Sequence, residues 1–76
     1  MTSRNIIGER LRQARNNSKP RVTQEELAAR LQVMDIHIDR AKIAKIESGI
    51  RPVYDYELAA IAKALKIDVR WLIEGK

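Results

Sequence analysis

The 76 residues are expected to form a single small domain over 1–76, and a chain of this size buries only a modest share of its surface, so its core must be economical. The absence of cysteine excludes a disulfide framework and a thiolate zinc site, which makes a reducing cytoplasm the expected compartment. No apolar run approaches the roughly 18 residues of a bilayer span and the polar N-terminus lacks a signal-peptide apolar region, so no membrane partner is expected.

The formal net charge is +5 and the pI near 10.0. The excess lies at one end: Arg4, Arg10, Arg12, Arg15, Lys19 and Arg21 face only Glu9 among the acidic residues of positions 1–24. Such a patch favours phosphate-rich partners, either nucleic acid or an anionic membrane surface. By itself it is equally compatible with a solvated basic face.

Ile7, Leu11 and Ala14 mark the buried side of a first helix from about Arg4 to about Asn16. Asn17-Ser18-Lys19-Pro20 ends it, because Pro20 lacks an N–H and disfavours helical backbone at Lys19. Thr23 followed by Glu26 is a capping box that starts a second helix, with Leu27, Ala28 and Leu31 as its apolar stripe.

From Val33 to Asp39 apolar residues alternate, a strand period with no second strand to pair with. This predicts an extended connector with Met34, Ile36 and Ile38 on the core, Asp35 and His37 in water, and Asp39 capping the third helix. Ile43 and Ile46 give that helix its stripe and Gly49 its left-handed stop. Ile50-Arg51-Pro52-Val53 is a turn. Leu58, Ile61, Ala62 and Leu65 define a fourth, amphipathic helix; Lys66-Ile67-Asp68 breaks it, and Asp68 caps a short fifth helix that turns Val69, Leu72 and Trp71 inward. The expected fold is all-α: five helices around a central helix-turn-helix.

Ile7-Gly8-Glu9-Arg10-Leu11-Arg12, Thr23-Gln24-Glu25-Glu26-Leu27-Ala28, Ile43-Ala44-Lys45-Ile46-Glu47-Ser48-Gly49, Ala62-Lys63-Ala64-Leu65 and Val69-Arg70-Trp71-Leu72 follow one another in an order that resembles the lambda and 434 repressor and Cro family of helix-turn-helix domains. The connector departs from that pattern, being about five residues longer than a tight turn of about 3 to 4 residues, and the loop after the first helix is slightly long. The long connector, Met34 to Ile38, bears on the angle of the third helix.

The resemblance implies that the third helix enters the major groove of double-stranded DNA, with Arg40, Ala41, Ala44 and Lys45 at base-reading positions. Arg40 and Lys45 carry donors suited to guanine O6 and N7, while the methyls of Ala41 and Ala44 either meet thymine methyls or leave room for close approach. Read alone, either cation is also an ordinary solvated helix charge. Gln24 matches a phosphate-holding position at a helix start; Lys42, Ser48 and Arg51 are further phosphate candidates, followed by Arg21 and Lys19. Arg15 and Glu47 match a family ion pair that holds the recognition helix.

His37 is the only histidine and has no carboxylate cluster at ligand spacing, so neither a metal nor another cofactor is expected. No nucleophile has a partnered base, so no enzyme is expected either. The implied function is a DNA-binding transcriptional regulator, a repressor that acts as a homodimer on a two-fold operator. Val53, Tyr54 and Tyr56 or the last helix are the expected dimer surface. The alternative is a protein-interaction module, such as an antitoxin-like partner with secondary DNA binding.

Overall fold

The computed structural model describes residues 6–75. Within them the chain forms α1 (Ile6–Asn17), α2 (Gln24–Val33), α3 (Arg40–Glu47), α4 (Asp55–Leu65) and α5 (Val69–Glu74), and no strand. The expected start of the first helix at Arg4 lies outside the described residues; its end falls at Asn17 rather than Asn16.

Local side-chain chemistry sets the helix starts. The Glu26 N–H donates to Thr23 Oγ1 at 3.0 Å and the Thr23 N–H to Glu26 Oε1 at 2.9 Å, a complete capping box. Asp39 accepts from the Lys42 N–H and Asp68 from the Arg70 N–H, each at 2.9 Å. At the start of α4 the Tyr54 N–H donates to Glu57 Oε1 at 3.1 Å.

Three helices stop in the same way. Ile36 N–H donates to Leu31 O beyond α2, Ile50 N–H to Lys45 O beyond α3, and Ile67 N–H to Ala62 O beyond α4. Each closure places one residue in the left-handed region: Asp35 at φ 67°, Gly49 at 84° and Lys66 at 59°.

Leu11, Leu27, Leu31, Ile43, Ile61 and Leu72 are fully buried and form the centre of the core. Each contributes about 1.5–3 kcal/mol by leaving water. α1 packs on α3 and α5, α2 on α3 and α4, and α4 on α5. α3 is thus held from two sides, with its outer face open.

The connector, positions 34–39, turns Ile38 into the core and rests Met34 and Ile36 against it, while Asp35 and His37 are exposed. It is longer than a minimal turn of about 3 to 4 residues. The excess is smaller than the sequence predicts because α2 runs on to Val33 and Met34-Asp35 close that helix, so only the remainder is extended.

Candidate nucleic-acid interface

α3 divides cleanly into two faces. Ile43, Ile46 and Glu47 are buried, whereas Arg40, Ala41, Lys42, Ala44, Lys45 and Ser48 are exposed. Positions 40, 41, 44 and 45 fall on one side of a helix, so two alanines separate two cations on an open surface. Among the described residues no carboxylate pairs with Arg40 or Lys45. Ser48 Oγ donates to Lys45 O at 3.1 Å.

The buried end of α3 is tied to α1 and α2 through one carboxylate. Arg15 Nε donates to Glu47 Oε2 at 2.6 Å and its Nη2 to Oε1 at 3.0 Å, while Nη1 donates to the Val22 carbonyl at 3.0 Å. Gln24 Nε2 donates to Glu47 Oε1 at 3.0 Å, and Arg12 Nε lies 3.5 Å from the same oxygen. Burial pushes the Glu47 carboxyl up, but hydrogen bonds from Arg15 and Gln24, the Arg15 charge and the Arg12 contact outweigh it, so the group lies below its ordinary 4.5. Gly8 completes this junction. A Cβ at Gly8 would run into the Ile46 carbonyl oxygen and would stand 2.7 Å from the Glu47 carbonyl oxygen, so glycine alone lets α1 lie this close to the end of α3.

A second pair follows α3. Arg51 meets Glu57 with two bonds, Nη1 to Oε1 at 3.1 Å and Nη2 to Oε2 at 3.0 Å, and Nη1 also reaches the Pro52 carbonyl at 3.0 Å. The Arg51 hydrogen bond is the largest influence on Glu57; with the Tyr54 N–H and the charges of Arg51 and Lys42 it holds the carboxyl low against burial. The Arg51 guanidinium lies 5.9 Å from the centroid of the Tyr54 ring, which stacks on Tyr56 at 6.2 Å. Tyr54, Tyr56 and Ile50 are all exposed.

The remaining cations are employed differently. Arg21 Nε donates to Asn16 Oδ1 at 2.9 Å, and Lys19 is exposed in the same loop, so neither joins the Glu47 cluster. Arg10 donates to the Leu72 carbonyl of α5 at 3.2 Å and Arg30 to the Ala64 carbonyl of α4 at 3.0 Å. Part of the basic excess therefore satisfies helix ends. His37 lies 3.6 Å from Asp35, both exposed, and among the described residues no three potential metal ligands converge. No helix among them is long and apolar enough to cross a membrane.

A two-faced third helix clamped at its buried end by two others is the arrangement of a helix-turn-helix domain. A family model described as a helix-turn-helix domain matches residues 6–71, and the chain belongs to that family. No curated protein and no solved structure gives a significant match to it.

Proposed function

We propose that the chain is a sequence-specific DNA-binding transcriptional regulator of the Cro and repressor type, a non-enzymatic cytoplasmic repressor that binds a two-fold operator as a homodimer. The observation that carries this reading is the open face of α3, where Arg40 and Lys45 flank Ala41 and Ala44 with no carboxylate partner among the described residues. In the major groove the two cations donate to guanine edges and the alanines allow close approach.

Lys42 and Gln24 then hold backbone phosphates on either side, with Arg21 and Lys19 nearer the edge; Arg51, paired with Glu57, and Ser48, whose hydroxyl donates to the Lys45 carbonyl, would exchange those bonds to join them. The Glu47 cluster fixes the tilt at which α3 is presented. Tyr54 and Tyr56, exposed, with the half-buried Val53, are the surface proposed for a second copy, and a two-fold operator calls for two recognition helices about 34 Å apart, one turn of DNA.

Selection of bound sequences from a random duplex pool, followed by footprinting, tests the reading. An inverted repeat protected over both half-sites is expected. Protection of one half-site at saturating protein removes the dimer, and salt-insensitive or absent duplex binding removes the DNA reading itself.

A further inference from the structure

Glu47 receives more positive charge than its own neutralises. Its side chain is 1% exposed and Arg15, itself buried, already matches it charge for charge with two hydrogen bonds. Arg12 is a second cation on the same carboxylate, 56% exposed and at 3.5 Å, longer than a good hydrogen bond. Its charge is therefore surplus and faces solvent.

The same carboxylate also fixes the orientation of Gln24. A carboxylate only accepts, so the amide must turn its NH2 toward Glu47; one N–H is taken at 3.0 Å, and the second remains for an outside acceptor. Arg12 Nε and Gln24 Nε2 sit 3.5 Å and 3.0 Å from one oxygen, which bounds their separation at the sum, 6.5 Å. One phosphate spans that gap, since each of its oxygens accepts at about 2.9 Å. A phosphate, with several acceptor oxygens, matches the forked donors of a guanidinium.

We propose that Arg12 and Gln24 form a two-donor clamp on a single DNA phosphate, with Glu47 as the positioning residue that aims both. The proposal rests on the DNA-binding reading and adds Arg12, on α1, to the interface. It also gives the ion-pair cluster a second task besides bracing α3.

The test uses the full chain, the selected duplex and a random duplex, with affinity measured against salt and phosphate contacts mapped by ethylation interference. Arg12→Ala is expected to weaken both duplexes alike and flatten the slope of log affinity against log salt by about one unit. Its melting temperature should stay close to wild type, because Arg15 still satisfies Glu47. Arg12→Ala and Gln24→Ala should erase interference at the same phosphate, and Glu47→Gln should weaken interference there more than elsewhere. Arg12→Lys should restore the salt slope.

An unchanged slope for Arg12→Ala, or loss at different phosphates in the two variants, overturns the clamp while wild-type binding keeps the DNA reading. A general loss of all contacts in Glu47→Gln overturns its positioning role. If the wild-type chain binds neither duplex, both proposals fail together.

Discussion

Arg15 grips both carboxylate oxygens of Glu47, through Nε at 2.6 Å and Nη2 at 3.0 Å, across a buried junction between α1 and the end of α3. Removing one partner strands the other charge out of water, which costs about 3–5 kcal/mol. In a domain this small 1 kcal/mol moves the melting temperature by about 4–8 °C. Glu47→Ala and Arg15→Ala should therefore each lower it by more than about 10 °C, whereas removal of an exposed charge such as Lys63 changes it little. Thermal melts of the three variants check this, and unmoved midpoints for the first two would show that the pair does not stabilise the fold.

The two buried carboxylates make the fold acid-sensitive. Glu47 and Glu57 both titrate below their ordinary 4.5 in the folded chain. For Glu57 the Arg51 hydrogen bond is the leading cause; for Glu47, burial acts upward and the Arg15 and Gln24 hydrogen bonds prevail. The unfolded chain therefore takes up these protons first as pH falls. Their stabilisation is fully present above about pH 4.5 and disappears as pH drops through the lowered folded values. Melts from pH 6 down to pH 3 should show a steep fall at the acid end, and Glu47→Gln or Glu57→Gln should flatten it. An acid limb as steep in both variants as in the wild type would place the titrating groups elsewhere.

What the sequence discloses follows from how local the chemistry is. Thr23 with Glu26, Asp39 and Asp68 cap helices within three residues of themselves, and all three are legible as helix starts. Gly49 is legible as a stop because glycine is the residue that left-handed backbone prefers. Asp35 and Lys66 perform the same closure, but neither residue type announces it, so the connector reads as extended from its first residue. The alternation of Met34, Ile36 and Ile38 does identify the inward side chains. The arginines are the hardest to assign. Arg10, Arg15 and Arg30 meet carbonyls or carboxylates brought up from distant segments, Arg51 meets Glu57 across the turn after α3, and a guanidinium has donors for carbonyl, carboxylate and phosphate alike. Only Arg15 is given its partner in advance, through its resemblance to a family pair; Arg12 is read only as part of the basic patch and the first motif, and Arg51 only as a phosphate candidate.

Gly8 is the tightest point between α1 and α3. A methyl there meets the backbone oxygens of Ile46 and Glu47, which cannot swing aside as a flexible side chain would. Gly8→Ala must push the helices apart and loosen the Arg15–Glu47 contact, at a cost of about 1–3 kcal/mol. The gain in helix propensity from alanine, up to about 1 kcal/mol, is too small to reverse the sign. A lower melting temperature is expected, and one equal to or above wild type would mean that the junction has slack.

Lys66 supplies the opposite case. It closes α4 at φ 59° and is exposed, so a non-glycine side chain bears about 1–2 kcal/mol of left-handed strain for contacts that glycine would keep. Glycine returns about 0.4–1 kcal/mol of that as greater freedom of the unfolded chain. Lys66→Gly should raise the melting temperature by a few degrees. A lower midpoint would indicate that the lysine side chain contributes to the fold.

The outer face of α3 is where positioning and readout should separate. Contacts to base edges distinguish sequences, whereas contacts to phosphate neutralise charge on any duplex. Under the proposed function, Arg40→Ala and Lys45→Ala should each cost about 1–3 kcal/mol on the selected operator and much less on random DNA, so discrimination collapses. Lys42 stands exposed on the same helix, and its charge helps hold Glu57 ionised. Lys42→Ala should weaken both duplexes equally and flatten the salt dependence by about one unit. One titration series over operator and random duplexes at several salt concentrations separates the two behaviours. If the Arg40 and Lys45 variants keep the full ratio of operator to random binding, the connector has set α3 at an angle that turns this face away from the base edges, and readout must come from other side chains.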